Sequence, residues 1–312
     1  MDTVFTLTFM TGLFAATLRM ATPLIFATVG ELFHEKVGVL NLGIEGTMLL
    51  GGLVGFLVTW YSGSLWLGVF CAGLSGCVLS ALMALLSVTF GLNQLVSGLG
   101  ITFLGTGLAH YLYRLCIGNP TVPPAIEPFA PLNIGGLGDV AFLGPVFFNQ
   151  NILVYLALAV AVLATLFFTR TVWGLRIRSI GENPAAADTM GVNVNRTRYL
   201  SMIFGGFLMG VAGAYLSLAH FNMFIFGLVS GRGFISIALV IFGAWNPARC
   251  MLGALLFGMI DALQFRLQTL GFDVPYQFFL IMPYALTIVA LIIVARKAST
   301  PAALATPYNR EE

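Results

Sequence analysis

The sequence predicts an all-α fold, a polytopic transmembrane helical bundle of about nine spans, two of them broken. Of its 312 residues, 59% are hydrophobic and only 8% are charged, whereas a soluble domain carries roughly 25% charged residues. So few charges cannot cover a water-facing surface, so most of the surface must face lipid. Apolar runs of span length recur along the chain, and arginines concentrate in one loop.

Stretches of about 20 apolar residues are the unit from which spans are counted. They lie near 5–29, 37–60, 65–90, 92–115, 151–169, 199–221, 223–246, 250–268 and 276–295. We therefore expect residues 1–297 to form a single transmembrane domain. The remaining segment, 298–312, is short, polar and punctuated by proline, and we expect it to be a disordered cytoplasmic tail.

The distribution of arginine sets the orientation of the spans. Residues 170–198 contain five arginines, while the loop at 116–150 contains no lysine or arginine. The positive-inside rule places the first stretch in the cytoplasm and the second outside. Arg296 and Lys297 put the C-terminus inside, so nine crossings imply an external N-terminus. Eight or ten crossings stay open, because two segments are irregular.

The two irregular segments are 37–60 and 223–246. The first is interrupted by Asn41, Gly43 and Glu45, and the second leaves only a short apolar stretch at 234–245. Apolar runs of 10–14 residues are more typical of re-entrant or half-helices than of full spans. Counted from either side of the 151–169 helix, each is second in a group of four, so we expect the two groups of spans to be inverted repeats. Broken helices at matching positions of inverted repeats indicate a substrate site near the membrane midplane.

Glu45 is the sharpest candidate for that site, because a carboxylate inside a bilayer is costly and usually faces a cavity or a partner. Asn41 lies four residues earlier, which would put both side chains on one helix face. They could line a substrate path or hold the broken helix in register. Alternatively, Glu45 could lie near the inner surface or cap a loosened turn.

Asn93, Gln94 and Ser97 open the fourth predicted span, with Asn93 and Ser97 one helical turn apart. Their amides could hydrogen-bond a sugar hydroxyl or a base edge. They could equally cap the helix and join neighbouring helices. Both roles are compatible with the sequence.

A polar stripe marks the eighth predicted span, where Asp261, Gln264 and Gln268 recur at helical spacing. An inward-facing stripe would line a pathway, whereas residues near the outer end could snorkel to the interface. Arg232 lies between two glycines in the broken seventh segment. It could pair with an acid from the other half of the chain or lie in an external loop.

The cytoplasmic stretch contains a short predicted helix at 183–191. Asn183 is a good N-cap, Pro184 suits the first helical position, and three alanines follow. Gly191 fits the left-handed residue that closes a helix. So short a helix is marginal in water and needs something to dock against. A cytoplasmic partner and the lipid headgroups are the two alternatives.

Four stretches together resemble a known family of transporters. They are residues 30–46 (GELFHEKVGVLNLGIEG), 93–98 (NQLVSG), 143–145 (LGP) and 173–191 (WGLRIRSIGENPAAADTMG). In this order and spacing they resemble the permease subunits of nucleoside and simple-sugar ABC importers. That group works with binding proteins of the basic-membrane-lipoprotein type.

The resemblance implies a function, partners and a set of coupling residues. The chain would form the translocation pathway for a nucleoside or simple sugar in a bacterial inner membrane. Its partners would be a longer homologous permease, an ABC ATPase that uses ATP and Mg²⁺, and an external binding lipoprotein. The loop at 174–191 would contain the coupling helix that docks into the ATPase. The implied coupling residues are Arg176, Arg178, Gly181, Glu182, Asn183, Pro184, Ala186, Asp188 and Gly191.

Other kinds of chemistry find little support in the sequence. The two lysines, Lys36 and Lys297, do not follow a glycine-rich turn, so the chain carries no Walker A loop. The three histidines and four cysteines show no metal-ligand spacing, and the net charge of +2 gives no nucleic-acid footprint. We therefore expect neither a catalytic site nor a bound metal or cofactor.

Two rival functions stay open. The first is a secondary transporter coupled to protons or sodium through Glu45 or Asp261. The second is an intramembrane protease, since residues 73–76 (GLSG) match the short pattern around a rhomboid serine. Small residues at a helix–helix contact would explain that string as well.

Overall fold

The structure is a computed structural model that describes residues 7–133, 143–269, 276–295 and 300–308. Most of them lie in helices. The helices are α1 Leu7–Glu35, α2 Ile44–Ser62, α3 Leu65–Ala84, α4 Gln94–Cys116, α5 Ile152–Arg170, α6 Val172–Glu182, α7 Pro184–Thr189, α8 Val194–Tyr215, α9 Arg232–Phe242, α10 Pro247–Thr269 and α11 Tyr276–Ala295. Three π-helical turns, Leu85–Thr89, Gly144–Phe148 and Leu216–His220, complete the helical part. Two short strands, β1 Pro131–Asn133 and β2 Asn149–Asn151, pair antiparallel.

The predicted polytopic helical bundle is confirmed. In the part of the chain that the structure describes, seven helices are long and apolar enough to cross a membrane: α1 to α5, α8 and α10, with α3 and α8 extended by their π turns. The apolar helix α9 is shorter, and α11 coincides with the ninth predicted span. The count of nine crossings stays a prediction.

Both predicted interruptions are present, but they precede their helices. Residues 36–43 are not helical and are mostly buried, and α2 then continues without a break. Likewise, residues 221–231 are irregular and lead into α9. At 1.5 Å per residue, the 11 residues of α9 span about 16 Å, roughly half of a bilayer core.

Residues 36–43 and 221–231 are called the unwound segments below. The first of them packs along neighbouring helices. The Val37 carbonyl accepts a hydrogen bond from Arg198 at 3.2 Å. The amide of Asn41 donates to Glu31 of α1 at 3.1 Å, and the Leu42 carbonyl accepts from Thr102 of α4 at 2.7 Å. Part of the backbone hydrogen bonding that a helix would supply is thus supplied by side chains of neighbouring helices, as a non-aqueous environment requires.

Helix α8 lies at the centre of the bundle, packed against α1, α2 and α3. Glycines permit the close approach. A side chain at Gly205 would overlap the backbone of Gly30 on α1, and one at Gly206 would overlap Gly76 on α3. Small residues at such crossings are the usual means of packing helices in a membrane, where no hydrophobic driving force joins them.

The tail differs from the expectation of disorder. Within residues 300–308, the Ala303 amide donates to the Gly181 carbonyl at 2.8 Å and the Ala305 amide to the Gly38 carbonyl at 3.2 Å. The Tyr308 hydroxyl contacts the Asp188 carboxylate of α7 at 3.0 Å. The composition of the tail indicates disorder, but its contacts with distant segments order it. Such contacts are not encoded in a local sequence pattern.

Candidate functional site

The helices that follow the two unwound segments meet at Glu45, the second residue of α2. Its carboxylate oxygens accept hydrogen bonds from the amides of Gly231 and Gly233, both at 2.8 Å. These amides belong to the start of α9, where N–H groups lack helical partners and the helix dipole favours an anion. Gly231 is left-handed with φ of 80° and offers no side-chain cap. A side chain at Gly233 would overlap Glu45, so glycine is required for this approach.

Arg232, the first residue of α9, faces Asp261 on α10. A guanidinium nitrogen lies 3.6 Å from a carboxylate oxygen, and the two side chains are 13% and 15% exposed. Arg232 is therefore not in an external loop: it forms an ion pair with an acid of its own half, and its charge also acts on Glu45 of the other half. Asp261 belongs to the same group of four spans as Arg232, because the chain turns after α9 and α10 then packs beside it.

Asn41 does not share a helix face with Glu45, which corrects the expectation from their spacing. Asn41 lies in the unwound segment, three residues before α2 begins. Its side-chain oxygen accepts from the Gly43 amide at 2.8 Å, and the residue is fully buried. This Asx turn shapes the entry to α2, so periodicity cannot be extended back through it.

The start of α4 supports the same segment. Asn93 caps α4 by accepting from the amides of Leu95 and Val96. The Gln94 side-chain oxygen accepts from the Leu40 amide at 2.8 Å, and Ser97 is buried one turn further on. The capping and joining alternative thus describes these contacts.

The predicted site residues therefore form two groups. Glu45, Arg232 and Asp261 meet where α2, α9 and α10 converge, and Gln264, 3% exposed, follows one turn along α10. Asn41 and Gln94 instead hold the unwound segment, and Asn93 and Ser97 lie beside them on α4.

Three buried polar residues of α1 were missed by the sequence analysis. Glu31, His34 and Glu35 are at most 1% exposed. The Glu35 carboxylate accepts from the Trp245 indole at 2.6 Å, and His34 Nε2 lies 2.8 Å from the Met202 carbonyl. The first span was expected to end near residue 29, which left this run in a loop. Its four titratable residues in succession at 31 and 34–36 beside an apolar run were the available signal.

The short helix expected at 183–191 is present as α7, and a further helix, α6, precedes it. Asn183 caps α7 by accepting from the Ala186 amide at 3.0 Å, Pro184 opens the helix, and Gly191 is left-handed with φ of 82°. Arg176, Arg178 and Glu182 are exposed on α6, and Asp188 contacts the tail. Gly181 is buried, and a side chain there would overlap the Lys36 carbonyl.

Lys36 lies at this junction, outside the spans. Burial is the main cause that lowers the pKa of Lys36, and the neighbouring Arg178 guanidinium lowers it further.

The serine string lies where α3 packs against α8. Gly73 faces the Phe207 ring and Gly76 faces α8, while the Ser75 hydroxyl donates to the Ala72 carbonyl at 2.7 Å. The string thus lies at a helix–helix contact. No group of three or more metal-ligating side chains occurs within the described residues.

Together the apolar bundle, the two unwound segments and the polar contacts where they meet define a polytopic membrane transport protein. The chain belongs to the family described as branched-chain amino acid transport system / permease component, which matches residues 13–291. It is a permease subunit of an ABC importer, as its curated relatives are ABC transporter permeases.

Three relatives match nearly the whole chain. The guanosine ABC transporter permease protein NupQ of Bacillus subtilis is 36% identical, over 94% of this chain and 95% of its own. The nucleoside ABC transporter permease protein NupC of Lactococcus lactis is 35% identical with the same coverage. A Haloferax volcanii protein named "Putative glucose ABC transporter permease protein TsgC13" is 39% identical, over 98% and 99%. No solved structure matches the chain significantly.

Proposed function

We propose that this permease conducts a nucleoside, with a simple sugar as the second candidate, through a pathway that it forms with a longer homologous permease. The observation that carries the pathway is the bond of Glu45 to the start of α9, which joins the two helices that follow the unwound segments. Relatives named for guanosine and nucleosides support the first cargo, and a relative named for glucose supports the second.

The unwound segments are the proposed moving parts of the pathway. Each is second in a group of four spans on either side of α5, which fits an inverted repeat. A break between segment and helix lets the half-helix move relative to its neighbours without unfolding. Opening and closing would change the contacts of Glu45 with α9, and of Arg232 with Asp261.

A second, longer permease is the proposed partner in the membrane. The chain matches NupQ and NupC at 35–36% identity over 95% of their length. It matches their counterparts NupP and NupB at only 24–25%, over 73% and 70% of those longer proteins. The difference supports a heterodimer in which this chain is the shorter subunit.

Helix α7 is the proposed contact with the ATPase. Ala185, Ala186 and Thr189 are exposed on it, and Met190 follows at 84% exposure. A capped helix of small residues beside a protruding methionine suits a groove in a protein partner. ATP and Mg²⁺ would bind to that ATPase, and this chain would have no catalytic site. An external binding protein would deliver the cargo.

The proposed location is the cytoplasmic membrane, with α7 and the C-terminus inside. Coupling to an ion gradient is the rival. Glu45 and Asp261 are the carboxylates that it would use, and both are already engaged, one by two backbone amides and the other by Arg232.

Uptake by the reconstituted complex tests this function. The permease would be co-expressed with its neighbouring transport genes, and vesicles would receive labelled guanosine or glucose together with the binding protein. We expect ATP-dependent guanosine uptake that persists with a proton ionophore and a sodium ionophore. Uptake without ATP that collapses with an ionophore would establish the rival. ATP-driven uptake of glucose alone would exclude nucleosides as cargo.

A further inference from the structure

A deep apolar groove opens between α1, α5 and α8, near the arginine-rich end of the bundle. Its cavity volume is about 840 Å³. Phe33 and Phe167 lie in it with ring centroids 5.5 Å apart, and Phe204 closes one side at 4.8 Å from Phe33. Leu163 and Leu166 line the wall that α5 contributes. In a membrane, an apolar cavity of this kind must be filled by a hydrocarbon chain or by another protein.

The position of the groove separates it from the proposed pathway. Glu31 contacts Asn41 and Glu35 contacts Trp245, on the side of α1 that faces the segment 36–43 and the turn between α9 and α10. Phe33 lies two residues from each, about 200° around the helix, so it points to the opposite side. A partner permease that shares the pathway would therefore cover the other face, and this groove would face lipid.

The groove is polar at one end only. Arg170, Thr171 and Thr197 line the end near α6, and Arg170 and Thr171 are exposed. Trp173 also lines this end, with the Arg176 guanidinium 5.1 Å from its ring centroid. Tryptophan and arginine are typical of the membrane–water interface. An apolar body below a basic rim matches a lipid with an anionic headgroup.

We propose that this groove is a binding site for an anionic phospholipid of the cytoplasmic leaflet, with its acyl chain among the phenylalanines and its phosphate beside Arg170 and Arg176. The site lies at the hinge between α5 and α6, so a bound lipid would brace the helix that leads into α7. This inference uses the proposed orientation and is independent of the cargo.

Quenching of Trp173 fluorescence by brominated lipid tests the site. The permease, purified with the subunits that accompany it, would be reconstituted in phosphatidylcholine vesicles containing a minor fraction of dibrominated phosphatidylglycerol or phosphatidylcholine. Subtracting the signal of a Trp173→Phe complex isolates Trp173. We expect saturable quenching that favours brominated phosphatidylglycerol by about fivefold for each arginine engaged, the factor expected of one basic residue at an anionic surface.

Three variants identify the parts of the site. In the double variant Arg170→Gln, Arg176→Gln, the two brominated lipids should quench Trp173 equally. Arg196→Gln removes an exposed charge on α8 outside the groove and should keep the preference for phosphatidylglycerol. Ala164→Phe fills the groove and should reduce quenching by both lipids. Equal quenching by the two lipids in the wild-type complex would overturn the anionic assignment. Absence of Trp173-dependent quenching would show that a protein subunit covers the groove, which also overturns it.

Discussion

At the scale of single residues, several polar side chains of the site bond backbone atoms, while Arg232 pairs with the side chain of Asp261. Glu45 bonds two amides at the start of α9, Gln94 bonds one in the unwound segment, and Asn41 turns back on Gly43. Each of these hydrogen bonds holds a segment whose backbone lacks internal helical hydrogen bonds. A polar side chain here has a mechanical function whether or not it contacts cargo.

Glu45 provides the first prediction. Glu45→Gln keeps one acceptor oxygen and loses the charge that favours the α9 terminus, and Glu45→Lys places a cation against the exposed amides. Hydrogen bonds to a charged group contribute about 1.5–3 kcal/mol. We therefore expect uptake to fall roughly tenfold or more for Glu45→Gln and to vanish for Glu45→Lys. Uptake in vesicles is the measurement, with Glu311→Lys near the C-terminus as the control. Wild-type uptake by Glu45→Ala would show that the tie is dispensable.

The Arg232–Asp261 pair provides the second. Removing one partner leaves the other charge mostly buried and unpaired, which destabilises a protein more than losing both. We expect Arg232→Gln and Asp261→Asn each to lower the thermal stability and maximal uptake rate. The double variant should be no less stable and no slower in uptake than the more strongly impaired single variant. Arg249→Gln, which changes an exposed arginine on α10, the helix of Asp261, is the matched control. Strictly additive losses would indicate that the two residues act separately.

At the scale of elements, local signals predicted the caps and the breaks, but the spacing of Asn41 and Glu45 did not reflect a shared helix face, and long-range contacts were not predictable. The caps of α7 are set by Asn183, Pro184 and Gly191 within one short stretch, so sequence predicted them. Glycine and polar residues likewise predicted the two breaks. The order of the tail depends on Gly38 and Gly181, which are distant in sequence. Nothing local could have revealed it.

Helix α7 provides the third prediction. Ala186→Arg keeps the helix and adds bulk and charge on its exposed face, so the ATPase should be lost from the purified complex. Ala186→Pro removes the amide that donates to Asn183, and loss of a cap costs about 1 kcal/mol. Both variants should reach the membrane, because neither touches a span. Asn195→Arg, exposed at the start of α8, is the control. Retention of the ATPase and coupled uptake by Ala186→Arg would rule out α7 as the docking helix.

The tail provides the fourth. The Tyr308 hydroxyl contacts the carboxylate of Asp188, so Tyr308→Phe should weaken the attachment of α7 to the tail. We expect amide hydrogen exchange in residues 185–190 to quicken by up to about tenfold, the effect of losing roughly 1.5 kcal/mol. Tyr155→Phe removes a hydroxyl that donates to the Phe147 carbonyl far from α7 and serves as the control. Unchanged exchange in Tyr308→Phe would show that the tail does not restrain α7.

At the scale of the whole molecule, apolar runs and charge asymmetry predicted the bundle, whereas the packing of its interior is set by contacts between helices. The sequence located the helices because lipid demands long apolar stretches. It could not show that α8 is central, since glycine crossings depend on which faces meet. Nor could it show that the end of α1, with Glu35, lies beside Trp245, because those residues are joined only by the fold.

Orientation provides the last prediction, because the positions of α7, the tail and the lipid groove all depend on it. Five arginines lie at 170–198 and none in the loop at 116–150, so the first stretch should be cytoplasmic. The four native cysteines would be replaced, and Asn195→Cys and Ala130→Cys, both at exposed positions, introduced singly. A membrane-impermeant maleimide should label Ala130→Cys in intact cells and label Asn195→Cys only after the membrane is opened. Equal labelling of both after opening is the control for reactivity. Labelling of Asn195→Cys alone in intact cells would invert the topology, and α7 would then face away from any cytoplasmic ATPase.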